Sequence, residues 1–157
     1  MTDLRDKKLK FYSKMNDFRL ACISAGLKLT HQRTEIFKEL AKSDNHPDAR
    51  QIYQKVSKKI PSISFDTVYR TLRTFDEKGL ISMVGVWCDR QKFDANKEKH
   101  YHFVCLDCGM ILDISEVKMD NLAIPKEAFK LGVPKSLHIE VRGKCSKCVR
   151  KNKAQKK

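Results

Sequence analysis

Acidic residues are scarce in this 157-residue chain: 19 Asp and Glu stand against 33 Lys and Arg, a formal net charge of +14. Such a surplus favours a polyanion as partner, nucleic acid above all, with a solvated basic end as the other source of charge. Part of it is indeed an end, because residues 142–157 carry eight Lys or Arg and no acid. Glycine is also sparse, at 6 residues, and none forms a phosphate-cradling loop, which argues against a nucleotide site. No apolar run approaches the ~18–20 residues of a membrane span, and the first fourteen residues, MTDLRDKKLKFYSK, lack the apolar stretch of a secretory signal. A cytoplasmic protein without membrane association is expected. No Ser/His/Asp set and no HExxH helix is present, so the chain does not read as an enzyme. There is no internal repeat, and the four prolines, Pro47, Pro61, Pro125 and Pro134, each fall at a plausible boundary.

Apolar residues make up 41% of the chain, enough for a packed core. Phe11, Met15, Phe18 and Cys22 recur at helical spacing, and Gly26 can end that helix. Thr30 can cap a second helix with Ile36, Phe37, Leu40 and Ala41 inside; Asp48 can cap a third with Ile52, Tyr53 and Val56 inside, stopped by Pro61. Ser64 can cap a fourth, with Val68, Leu72 and Phe75 inside and Gly79 at its end. The pattern then changes to β-formers over 80–87, a turn at 88–90 and a return strand over 91–94. Short helices followed by a hairpin read as a winged helix-turn-helix over roughly residues 11–94. After a polar hinge at 95–99, strand-like runs at 101–105, 110–114 and 137–141 and a helix within 115–130 form a second unit, 100–148. It is too small for a large core and needs a metal, a partner subunit, or both.

The strongest chemical signal is the pair of knuckles Cys105-Leu106-Asp107-Cys108 and Cys145-Ser146-Lys147-Cys148. Disulfides are disfavoured in a cytosolic chain, and four soft thiolates suit tetrahedral zinc. A redox dithiol pair and a four-sulfur iron site are the alternatives; the helix-opening context of a redox CxxC is missing. Cys22 reads as a buried core thiol, and Cys88 falls in the expected turn with no assigned role.

His100-Tyr101-His102 precedes the first knuckle. In a strand these two imidazoles share a face, as a metal site needs, with Asp94 and Asp113 nearby in sequence; surface or core histidines are the alternative. By themselves His46 and His31 look like loop and helix-start histidines, and His138 like a strand surface residue. The fourth helix turns Thr67, Tyr69, Arg70, Thr71, Arg73 and Thr74 outward, matching phosphate and base-edge contacts or else a solvated polar face.

In order along the chain, Gly26-Leu27-Lys28-Leu29-Thr30-His31-Gln32-Arg33, His46-Pro47, Ile52-Tyr53, Thr67-Val68-Tyr69-Arg70-Thr71-Leu72, Lys92-Phe93-Asp94, His100-Tyr101-His102, Asp113 and both CxxC pairs resemble the ferric uptake regulator superfamily, and within it the peroxide-responsive branch. The resemblance covers about residues 20–148. It implies an α+β chain: an N-terminal winged helix-turn-helix DNA-binding domain over 1–94, a hinge over 95–99, a C-terminal α/β dimerisation domain with structural zinc over 100–148, and a basic tail over 149–157. Cys105, Cys108, Cys145 and Cys148 fall on the family's zinc ligands. His46, Asp94, His100, His102 and Asp113 fall on the regulatory site, a mixed N/O set suited to Fe(II), Mn(II) or Zn(II), of which Fe(II) or Mn(II) is the expected regulatory ion. A metal held by all five would fix the interdomain angle, and with it the spacing of two recognition helices on a palindromic double-stranded operator. Tyr69 and Arg70 match positions that contact the major groove, and Lys28 one that reaches the minor groove. Lys99 and Tyr101 stand where some members place ligands of a further metal site, and Leu137 where many place a histidine. With Asp rather than Glu at position 94, these details resemble the peroxide sensors, in which iron-catalysed oxidation of a ligand histidine, here His46 or His100, releases DNA. The alternative is a metal-uptake regulator without peroxide sensing.

Overall fold

The computed structural model describes residues 2–43, 45–85, 91–98, 100–114, 123–134, 137 and 139–154. The chain divides into two compact units, Met1–Lys97 and Glu98–Lys157.

The first unit contains four helices, α1 (Thr2–Ser24), α2 (His31–Ala41), α3 (Ala49–Val56) and α4 (Phe65–Glu77), followed by a hairpin of β1 (Ser82–Val84) and β2 (Lys92–Asp94). Each of α2, α3 and α4 starts where a side-chain oxygen satisfies an orphan N–H of the first turn. Thr30 accepts from the Arg33 N–H and Ser64 from that of Thr67, while Asp48 and Gln51 form a reciprocal capping box. Helices α1 and α4 end alike. The Leu27 and Gly26 N–H groups bond back to Cys22 and Ile23, and those of Leu80 and Gly79 to Phe75 and Asp76. Both turns need a left-handed residue, and Gly26 and Gly79 supply it at φ +63° and +65°.

The core follows the helical spacing read from the sequence. Phe18 of α1 stacks on Phe37 of α2 with centroids 3.8 Å apart and meets Phe75 of α4 edge-on at 5.0 Å. Ile36, Leu40, Ile52, Val56, Val68 and Leu72 complete it, with Cys22 buried among them. At the edge of this core, Lys59 Nζ donates to Glu35 at 3.0 Å and Glu39 at 2.7 Å, two carboxylates that would otherwise be buried beside each other. The Lys38 ammonium, then that of Lys59, hold the Glu35 carboxyl at about 2, against the opposing effect of burial.

The second unit is a three-stranded sheet of order β4-β3-β5, with β3 (Tyr101–Cys105) central, β4 (Ile111–Ile114) antiparallel and β5 (Glu140–Gly143) parallel to it. Helix α5 (Lys126–Leu131) precedes β5, and α6 (Ser146–Ala154) follows it. Three expectations change here. The expected helix within 115–130 is confined, among the described residues, to Lys126–Leu131, because Pro125 stands at its N-cap and cannot lie inside a helix; residues 115–122 lie outside the described residues. The last strand runs over Glu140–Gly143 rather than 137–141, in register with β3 up to Cys105. The basic end is helical through Ala154, as its Lys, Arg and Ala content favours once the second knuckle starts the turn. The expected turn at 88–90, with Cys88, lies outside the described residues, as do Lys99 and His138.

Replacing Lys59 by Ala removes the ammonium shared by both carboxylates and leaves Glu35 with Lys38 and Glu39 with Lys42. We expect a loss of about 1–2 kcal/mol in urea titrations at pH 7, less than for a fully buried ion pair because Lys59 is half-exposed. The folded Glu35 carboxyl lies below its ordinary value, so its contribution is complete above about pH 4.5 and is lost as pH falls through about 2. The difference between wild type and Lys59→Ala should shrink over that range.

Candidate metal centre

The sheet register of the second unit builds two donor groups at opposite ends of β3. At its C-terminal end, Cys105 pairs with Gly143 across the parallel ladder, so Cys145, two residues beyond, arrives beside it. The Cys105 N–H bonds to the Met110 carbonyl and the Gly109 N–H to the Cys105 carbonyl, which closes the first knuckle and turns Cys108 back. Cys148 lies in the first turn of α6. The four Sγ atoms all lie within 4.8 Å of one another. With zinc–sulfur bonds of about 2.3 Å, a tetrahedron separates its sulfurs by about 3.8 Å; Cys108 and Cys145 are 3.8 Å apart. The donor set therefore fits a tetrahedral ion such as zinc.

The thiols are biased accordingly. Backbone N–H groups, that of Cys145 first at 3.2 Å from Sγ, bring the Cys105 thiol down to about 6. The crowded thiols of Cys145 and Cys108 push Cys148 up to about 12. The cluster accepts one thiolate readily and opposes several; a divalent cation at its centre removes that opposition.

At the other end of β3, the antiparallel ladder sets His102 opposite Asp113. His100 Nε2 lies 2.9 Å from His102 Nε2, and Asp113 Oδ1 lies 3.7 Å and 3.8 Å from the two. His100 Nδ1 is 2.7 Å from the Glu98 carbonyl, so this nitrogen carries the proton and Nε2 presents its lone pair. Two imidazole nitrogens and a carboxylate oxygen facing one point are a partial ligand set for a first-row divalent ion.

The first unit brings a second pair together. The Phe93 N–H bonds to the Pro47 carbonyl, and Asp48 bridges to Lys92, so the loop before α3 is pinned along β2. His46 Nε2 then lies 3.6 Å from Asp94 Oδ2, both side chains buried. Oδ1 of Asp94 accepts the Asn96 N–H at 2.7 Å, which orients the carboxylate. His46 adopts φ +44°, in the left-handed region, a conformation that costs a non-glycine residue about 1–2 kcal/mol. Buried imidazole and carboxylate together again suit a hard or borderline cation.

Of the residues expected on the nucleic-acid face, Arg70 is exposed and ion-pairs with Asp66 at 3.7 Å. Tyr69 is half-buried and stacks near Phe65, which meets Tyr53 edge-on. Lys28 is exposed, and its backbone carbonyl accepts a 2.6 Å bond from Arg33. Sequence reasoning missed the Glu98 carbonyl behind His100, which has no side-chain signature.

The sequence profile of the ferric uptake regulator family matches residues 24–136. Over 98 residues the chain is 38% identical to the peroxide-responsive repressor PerR of Staphylococcus epidermidis, a match covering 62% of this chain and 65% of that protein. The match thus spans just under two thirds of that relative's length. Among solved structures, the Campylobacter jejuni peroxide stress regulator is similar with a TM-score of 0.61 at 29% identity, over 83% of this chain and 95% of that one. The Vibrio cholerae ferric uptake regulator gives 0.60 at 27% identity, over 80% and 98%.

Metal analysis of the purified protein should give one tightly held zinc per chain, and Cys105→Ser should hold none. In that variant, amide exchange should quicken across β3, β4 and β5 while α2 and α4 keep their protection, because the small second sheet depends on the clip and the first unit has its own core.

Proposed function

The chain belongs to the ferric uptake regulator family, and from that premise we propose that it is a metal-dependent, DNA-binding transcriptional repressor that senses peroxide. Cys105, Cys108, Cys145 and Cys148 hold a structural Zn(II). His46, Asp94, His100, His102 and Asp113 serve one regulatory Fe(II) or Mn(II). The observation that carries this reading is the double use of β3: a thiolate cluster for a permanent ion at one end and an imidazole–carboxylate group for an exchangeable one at the other. Soft sulfur donors retain zinc, and mixed N/O donors bind iron or manganese less tightly, so the two sites divide structure from sensing.

Iron(II), when bound, supplies the reductant for peroxide, and the imidazoles beside it are the groups open to oxidation. The protein's own part is positional. The Glu98 carbonyl fixes the tautomer of His100, the ladder sets Asp113 against His102, and the pinned loop holds His46 against Asp94. An oxidised imidazole loses the lone pair that faced the ion, and the regulatory set is broken. The 38% identity to a peroxide-responsive repressor supports the peroxide branch. The partner is a palindromic double-stranded operator, approached by a homodimer whose recognition helix is α4, with Tyr69 and Arg70 at the major groove and Lys28 at the minor groove. Exposed Leu112, Phe129, Leu131, Val133 and Val141 of the second unit support self-association.

The test is anaerobic fluorescence anisotropy with a duplex selected by the protein from a random pool, using Fe(II)-loaded and Mn(II)-loaded protein before and after stoichiometric peroxide. Peroxide should release the iron form alone, with a mass increase of one oxygen on His46 or His100. A metal-availability regulator would bind in both forms and ignore peroxide. His100→Ala should keep its zinc and lose metal-dependent binding. Arg70→Ala should keep both metals and weaken binding to the selected duplex by about 1–3 kcal/mol.

A further inference from the structure

One pocket of the first unit belongs to neither metal group. It encloses about 260 Å³ and is lined by Arg33 of α2 and by Asp66, Thr67, Arg70, Thr71 and Thr74 of α4. Cofactor and drug-sized ligands occupy roughly 300–1,000 Å³, so this space suits a smaller polar group.

Its lining has the chemistry of an anion seat. Thr67, Thr71 and Thr74, spaced by four and three residues, share one helix face and are half-buried. The two guanidinium groups differ. Arg70 is exposed and already paired with Asp66 at 3.7 Å. Arg33 is half-buried, and its Nη1 donates to the Lys28 carbonyl at 2.6 Å, using one of its five N–H donors and fixing the planar fork. Among the described residues no carboxylate forms an ion pair with Arg33. With Asp66 engaged by Arg70, the pocket carries one uncompensated positive charge, and it is on Arg33.

We propose that this pocket seats a DNA backbone phosphate, held by the Arg33 guanidinium and the Thr71 hydroxyl; the hydroxyl of Thr74 already donates to the Arg70 carbonyl at 2.9 Å and that of Thr67 pairs with Ser64 at 2.8 Å. The inference rests on the DNA-binding reading and adds to it a positioning contact distinct from the expected base contacts of Tyr69 and Arg70. A phosphate rather than a base edge is the ligand because the Arg33 fork is recessed and tethered to backbone, whereas a base reader must extend into the groove. Seated there, a phosphate fixes how far α4 enters the groove.

The experiment measures affinity by anisotropy between 50 and 200 mM salt for Mn(II)-loaded wild type, Arg33→Gln, Arg33→Lys and Thr71→Val. Two duplexes of equal length are used, one selected by the wild type from a random pool and one of scrambled sequence. For Arg33→Gln we expect the same fold-loss on both duplexes. We also expect a log K against log salt slope shallower by about 0.9 per chain, so that wild type loses about 3.5-fold more affinity per chain across that range. Arg33→Lys should restore the slope, which a purely structural role for Arg33 would not require. Thr71→Val should weaken both duplexes equally without changing the slope, and near-UV circular dichroism should match wild type for every variant. An unchanged slope in Arg33→Gln, or a loss confined to the selected duplex, overturns the phosphate assignment while DNA binding stands. A wild type that binds neither duplex overturns the DNA-binding reading itself.

Discussion

The second unit depends on β3 being paired on both edges. Three of its residues, His102, Phe103 and Val104, have an antiparallel neighbour on one side and a parallel one on the other. Each pairing brings donor atoms together: Asp113 to His102 through the first, and Cys145 to Cys105 through the second. A slip of one residue in either ladder would turn every side chain to the opposite face. The antiparallel register is held by the short knuckle turn and by the buried pair Val104 and Ile111. The parallel register is extended by the bond from the Leu106 N–H to the Gly143 carbonyl. With so little apolar core, the sheet and the sulfur cluster stabilise each other, and neither is expected to persist alone.

The first unit works on the opposite principle. Its aromatic centre, Phe18, Phe37 and Phe75, is buried and packed ring against ring. That rigidity lets it hold His46 at a positive φ, a conformation that a loosely packed loop would relax. The strain is balanced by the bond from Phe93 to Pro47 and the bridge from Asp48 to Lys92, which tie the loop to the hairpin. The same core presents α4 with its polar face outward, so the surface offered to a polyanion is as firmly placed as the core behind it.

Much of this was legible in the residues. Thr30, Asp48 and Ser64 announced three helix starts because capping is a local interaction that needs no tertiary partner. Gly26 and Gly79 announced two helix ends for the same reason. The CxxC spacing announced the sulfur cluster, since a knuckle turn is local too. The position of β5 was not legible: Leu137 to Val141 alternates well as a strand, and only the long-range pairing with β3 decides that it begins at Glu140. The helix at 146–154 was hidden by its charge, which reads as a solvated tail until the second knuckle is seen to start it. His46 looked like an ordinary loop histidine because its neighbour Asp94 is 48 positions away in sequence, joined to it by the packing of one loop on one strand.

The distance along the chain between the two knuckles has a consequence during synthesis. Cys105 and Cys145 are 40 residues apart. At a ribosomal rate of about 5–20 residues per second, Cys105 and Cys108 precede their partners by about 2–8 s. For that interval the nascent chain carries a half-formed dithiol, open to capture by other metals and by oxidants. A four-thiol site would then be most vulnerable to oxidation while the chain is being made, and the supply of a tetrahedral ion such as zinc at the ribosome would set how many copies ever mature.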